Sequence, residues 1–173
     1  MARIREQPRK NARLPGYDYS LPGAYFITIV SKHRETLFDD PLLKSVVDRS
    51  WRWLGVRYEH VEIDAFVVMP NHLHGLLMIT DARRGRSRAA PTNPSSLAKP
   101  LGQLIGAFKT TSTKQINRIR RTAGLPVWQR NYYEHVIRNE DELNRIRQYI
   151  LDNPAKWDND PENPAALHQQ TVD

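Results

Sequence analysis

Hydrophobic and polar positions along the chain divide it into segments of two periods. The stretch GAYFITIVS, Gly23 to Ser31, sets Tyr25, Ile27 and Ile29 against Phe26, Thr28 and Val30. Both alternating sets are β-branched or aromatic, which predicts a buried strand. Leu43, Val46, Val47 and Leu54 then recur at helical spacing. With Asp40 as N-cap and Pro41 at the first helical position, they predict a helix ending near Leu54. YEHVEIDAFVVMP alternates before becoming apolar throughout, as a strand entering the middle of a sheet would. Pro70 and Asn71 make a turn, and HLHGLLMIT reads as the returning strand of an antiparallel hairpin.

After a stretch with almost no large apolar residues, helical periodicity returns. Leu97, Leu101, Leu104, Ile105, Phe108, Ile116 and Ile119 mark one face, and Gly102 and Gly106, one turn apart, are expected to bring this helix close to the sheet. A short aromatic segment predicts a last strand from Tyr133 to Ile137. A final helix is expected from Asn139, with Glu142 as capping-box partner, and is expected to stop at Asn153 because Pro154 follows. The order strand, helix, strand, strand, helix, strand, helix is that of an α+β, ferredoxin-like split βαβ fold. Its centre is a four-stranded antiparallel sheet, and it carries one extra C-terminal helix. The expected organisation is a basic N-terminal arm over 1–20, one domain over 21–157 interrupted by a mobile basic loop at 81–100, and an irregular tail over 158–173.

Composition narrows the function. The 173 residues carry a formal charge of +7, which favours a polyanionic partner such as nucleic acid. There is no cysteine, so disulfides, thiolate metal sites and thiol nucleophiles are excluded, and a metal would have to use His, carboxylate or amide ligands. The N-terminus is charged with no apolar core behind it, and no apolar run approaches membrane-spanning length. The expectation is a cytoplasmic protein with no membrane partner.

Two places carry candidate chemistry. On a strand, residues i and i+2 share a face, so His72 and His74 project side by side. Together they are able to hold one divalent cation, although an isolated His-x-His is more often a pair of hydrogen-bonded surface imidazoles. Tyr149 and Asn153 share a face of the last helix, where a tyrosine ring packing on the sheet and an asparagine closing the helix are the commoner roles. Tyr132 and Tyr133 are rival hydroxyls in a segment suited to packing or base stacking. Taken together, a cation on a central strand and a tyrosine laid against the same face suit phosphoryl transfer.

AFVVMPNHLHGLLMI followed by VWQRNYYEHVIRNEDELNRIRQYILDNPAKW resembles the REP-associated tyrosine transposases, a branch of the HUH single-tyrosine transposases of bacterial insertion sequences. The similarity runs from about Tyr25 to Trp157, and Met-Pro-Asn-His-x-His with Tyr-Ile-x-x-Asn-Pro is its specific part. It implies that His72, His74 and Asn153 bind Mg²⁺ or Mn²⁺ and that Tyr149, on the C-terminal helix, is the catalytic nucleophile. It further implies cleavage of single-stranded DNA beside a hairpin, through a 5′-phosphotyrosine and a free 3′-hydroxyl, and rejoining by the reverse attack. Such enzymes carry out DNA transposition and recombination, as monomers or as homodimers that exchange the tyrosine helix. The insert at 81–100 and the proline-rich tail depart from the family pattern and leave DNA specificity open.

Phosphate contacts are expected from the basic arm, from Arg83, Arg84, Arg86 and Arg88 in the insert, and from Lys109, Lys114, Arg118, Arg120 and Arg121. Two other readings stand beside this one. A non-catalytic nucleic-acid-binding protein on the same fold would use His72, His74 and Tyr149 structurally. A metal phosphodiesterase activating water would need no tyrosine.

Overall fold

A computed structural model describes residues 18, 19, 21–81 and 99–169. Four strands, β1 (Gly23–Val30), β2 (Val61–Val68), β3 (His72–Ile79) and β4 (Tyr133–Ile137), form one sheet in the order β2-β3-β1-β4, with every pairing antiparallel. This is the ferredoxin-like order, with β3 and β1 at its centre. Helices α1 (Pro41–Arg57) and α2 (Leu101–Arg120) cover one face, and α3 (Glu140–Asp152) covers the other.

The register explains the division of faces. Tyr25, Ile27 and Ile29 stand opposite Leu77, Gly75 and Leu73. With the exception of Gly75, these are large side chains with no exposed surface, and they meet Val47 and Trp51 of α1 and Phe108 of α2 in the core. Phe26, Thr28, Val30, His72, His74 and Leu76 alternate with them and turn to the α3 side. Gly75 is required by close packing: a Cβ added there would lie 2.3 Å from Trp51 Cζ2. The close approach expected at Gly102 and Gly106 is not found. Both are exposed, and the space beside Gly106 is open.

Other local expectations meet their physical limits. Asp40 caps α1, accepting from Leu42 N at 2.8 Å and Leu43 N at 3.4 Å, and the helix runs one turn past Leu54. β2 is an edge strand, not an inner one; Ile63, Ala65, Phe66 and Val67 are only partly buried, and the guanidinium of Arg52 covers Phe66. Ile119 is exposed, and Leu97 lies outside the described residues. Asn139 caps α3 through Glu142 N at 2.8 Å. The Glu142 carboxylate does not complete the box; it takes Arg138 N at 2.9 Å and His135 Nε2 at 2.8 Å.

Pro154 ends the α-helical pattern without ending the turn of the chain, which tightens into a 3₁₀ stretch, Asn153–Asn159. The region expected to be irregular beyond it folds back in a turn at Asp160–Asn163 and a short helix, α4 (Pro164–Gln169).

Candidate active site between the histidine strand and the tyrosine helix

The turn Pro70–Asn71 sets the entry to β3. Met69 N bonds His72 O at 2.8 Å, while Ser31 N and Phe38 N, each at 2.8 Å, hold the carbonyls of Asn71 and Pro70. Asn71 is fully buried, and its Nδ2 donates to Arg34 O at 3.1 Å and Glu162 O at 2.7 Å. Those two carbonyls fix the amide orientation, leaving Oδ1 to face His72 Nδ1 at 2.8 Å. His72 must therefore donate from Nδ1, so the neutral ring keeps a lone pair on Nε2. His74 Nδ1 is held by Thr28 Oγ1 at 2.8 Å, and Phe26 stacks on its ring at 5.5 Å and 25°.

Both Nε2 atoms then converge, 3.0 Å apart. Two nitrogens binding one octahedral cation side by side, at bonds of about 2.1 Å, would stand about 3 Å apart. The pair is buried, and each ring is oriented by a bond to its other nitrogen, the usual support of a metal-binding histidine.

Tyr149 reaches the same point from α3. Its hydroxyl lies 3.3 Å from His74 Nε2, and its ring meets those of His74 and Phe26 edge-on at 5.2 and 5.9 Å. The helix is tied to both edges of the sheet, by Glu142 to His135 on β4 and by a two-pronged bond from Arg147 to Asp64 on β2. Burial and the charge of Asp160 push the Tyr149 hydroxyl above its ordinary pKa, and a hydrogen bond with the Asn153 side chain pulls the other way. Asn153 is buried one turn later, and its Oδ1 has no hydrogen-bond partner. A buried, orphaned amide oxygen on a side chain that meets the Tyr149 hydroxyl fits a hard cation as its missing partner.

Asp160 was not foreseen. It is buried, its Oδ2 lies 3.8 Å from His72 Nε2, and one ligand atom from each of His72, His74 and Asp160 falls within 4.8 Å of the others. Burial raises its carboxyl pKa. The turn is held by Glu162 N on Asp160 Oδ1 at 2.7 Å and by the Arg34–Glu162 ion pair at 3.0 Å. The only sequence cue was the turn-forming DNDPEN, which says nothing of where the turn docks.

The basic residues divide. Lys109 donates to the carbonyls of Gln129, Arg130 and Asn131 at 2.9, 3.2 and 3.2 Å, so its ammonium pins the loop before β4. Burial lowers its pKa to about 8. Lys114, Arg118, Arg120 and Arg121 are exposed in or just after α2, the helix on the sheet face opposite the histidines. Arg83, Arg84, Arg86 and Arg88 lie outside the described residues, as do most of the N-terminal arm and the insert. Among the described residues, no helix is long and apolar enough to cross a membrane.

The fold has a solved counterpart. A REP-associated tyrosine transposase bound to a REP hairpin superposes with a TM-score of 0.57 at 19% identity, over 86% of this chain and 74% of that one. In sequence, the chain is 34% identical to an uncharacterised Haemophilus influenzae protein over 166 residues, 88% of this chain and 91% of the relative. A second Haemophilus influenzae protein, provisionally named a REP-associated tyrosine transposase, is 28% identical over 145 residues, 80% of this chain and 74% of its own length. No protein-family model matches the chain. The chain is thus similar in sequence to one protein provisionally named a REP-associated tyrosine transposase, and it shares its fold with another solved on a REP hairpin.

Proposed function

We propose that this protein cleaves and rejoins single-stranded DNA beside a hairpin of the palindromic-repeat kind, with Tyr149 as the nucleophile. The observation that carries the reading is the meeting of the Tyr149 hydroxyl with His74 Nε2 at 3.3 Å, where His72 Nε2 also converges at 3.0 Å. The likeness to REP-associated tyrosine transposases supports the same chemistry. His72, His74, Asp160 and the orphaned Asn153 Oδ1 would hold Mg²⁺ or Mn²⁺, which would polarise the phosphate and neutralise its charge.

Tyr149 loses its proton to water, which its 41% exposure allows. The phenolate oxygen attacks phosphorus; a Tyr–O–P bond forms as the bond from phosphorus to the 3′-oxygen of the preceding nucleotide breaks. That oxygen takes a proton from water and leaves as a 3′-hydroxyl. The phosphotyrosine conserves the energy of the broken linkage, so the reverse attack by a 3′-hydroxyl rejoins strands without nucleotide hydrolysis. The Asn153 side chain, bonded to the hydroxyl, favours the phenolate.

Tyrosine and histidines belong to one chain here, so a monomer suffices for the site. The basic arm, the arginines of the insert and the exposed Lys114, Arg118, Arg120 and Arg121 are the proposed phosphate contacts, and the cytoplasm is the expected compartment. The test is incubation with a labelled hairpin oligonucleotide and Mn²⁺, followed by a denaturing gel. A covalent protein–DNA band is expected for the wild type, and none for Tyr149→Phe or for the variant with both histidines changed to alanine. Cleavage persisting in Tyr149→Phe would instead mean attack by water.

A further inference from the structure

The row of the sheet that carries His74 continues to its edge. His74 stands opposite Thr28 on β1, and Thr28 stands opposite Tyr133 on β4, so all three project from one face. Two strand spacings, about 10 Å, separate His74 from Tyr133. In the neighbouring row, Phe26 lies between Leu76 and His135. Phe26 is the common floor: it stacks on His74 at 5.5 Å and meets Tyr149 at 5.9 Å and Tyr133 at 6.3 Å, both edge-on.

Core packing does not account for Tyr133. Tyr25, a core tyrosine, is fully buried and bonds Leu21 O at 2.7 Å. Tyr133 is 39% exposed, close to the exposure of Tyr149, and its hydroxyl makes no hydrogen bond among the described residues. Because α3 packs on β2 and β3, the corner of the face where Tyr133 stands keeps an open aromatic surface. Exposed Arg130 and Arg138 stand just before and just after the strand. An aromatic ring open to solvent, guanidinium groups at either end of its strand and a phosphate-reacting site about 10 Å away are the parts of a single-strand binding groove.

We propose that Tyr133 is a stacking platform for a nucleobase of the single strand, within one nucleotide of the phosphate attacked by Tyr149. Phe26 supports both rings from below, so the base is placed against the same rigid floor as the nucleophile. This subsite rests on the reading of the site given above. Stacking uses the π-face that every base has, so the subsite positions the strand without dictating which base occupies it.

Photocrosslinking without metal tests this. The full chain is irradiated with a single-stranded thymidine oligonucleotide carrying 5-iododeoxyuridine, digested, and mapped by mass spectrometry, while affinity for the unmodified oligonucleotide is measured in parallel. The nucleotide is expected on Tyr133. Tyr133→Ala is expected to weaken binding by roughly 5- to 150-fold, while Tyr133→Phe and Tyr133→Trp retain it. Label confined to other residues, or wild-type affinity in a folded Tyr133→Ala, would overturn the proposal. No cleavage is needed, so absence of the Tyr149 adduct would leave this result standing, and loss of the crosslink would leave the adduct standing.

Discussion

Arg147, two residues before Tyr149 on α3, is bonded by both prongs of its guanidinium to Asp64, the residue at the register shift of β2. The bulge leaves Asp64 outside the regular ladder, and its carboxylate meets the helix that carries the tyrosine. Asp64 raises the pKa of Arg147, the direction expected when an anion holds a cation in place. Removing either partner frees α3 at the edge of the sheet nearest the site. Arg147→Met is expected to slow covalent adduct formation tenfold or more while lowering the urea unfolding midpoint only slightly. The exchange Asp64→Arg with Arg147→Asp is expected to recover part of the rate. Adduct kinetics beside urea unfolding separate the two effects, and a rate unchanged in Arg147→Met would mean the clamp does not position Tyr149.

Asp160 supplies the one buried carboxylate of the histidine cluster. Asp160→Asn keeps the shape and removes the charge, so Mn²⁺ affinity measured by calorimetry is expected to fall about tenfold or more. Equal affinity in the variant would remove Asp160 from the ligand set.

Gly75 separates the site from the core. With Trp51 Cζ2 2.3 Å from where a Cβ would stand, Gly75→Ala has to displace either β3 or the indole. A loss of about 1–3 kcal/mol in urea unfolding is expected. Gly106→Ala, in open space, is expected to be neutral or stabilising by up to about 1 kcal/mol.

Lys109 should make stability depend on pH in a defined window. Its pKa falls from 10.5 to about 8 on folding, so between these values the unfolded chain binds more protons than the folded one. Its contribution therefore rises with pH from about 8 to 10.5 and is flat below. Unfolding midpoints at pH 8 and pH 10 are expected to rise more, or fall less, in the wild type than in Lys109→Met. The same slope in both would contradict this.

The strands and helices were legible because their periods of two and 3.6 are local. The hairpin turn at Pro70–Asn71, the facing of His72 and His74, and the Asp40 and Asn139 caps needed no tertiary information. What depends on neighbours was not legible. AFVV reads as inner strand because α1 and α3 shield an edge. Lys109 reads as surface charge because the three carbonyls that occupy it lie 20 to 22 residues away. Asp160 lies 88 residues beyond His72, in a segment without periodicity, and only the docking of that turn by Arg34 and Asn71 brings it to the histidines. Conversely, Tyr149 and Asn153 were placed together correctly by helical spacing, which persists even though the helix tightens between them.

The most direct measurement of the central claim is the position of the covalent bond. The adduct formed with a hairpin oligonucleotide and Mn²⁺ would be digested with protease and nuclease, and the modified peptide sequenced by mass spectrometry. A nucleotide attached through a 5′-phosphate to Tyr149 is the predicted result. Attachment to Tyr132 or Tyr133, or cleavage with no attached nucleotide, would contradict the assignment of Tyr149 as the nucleophile.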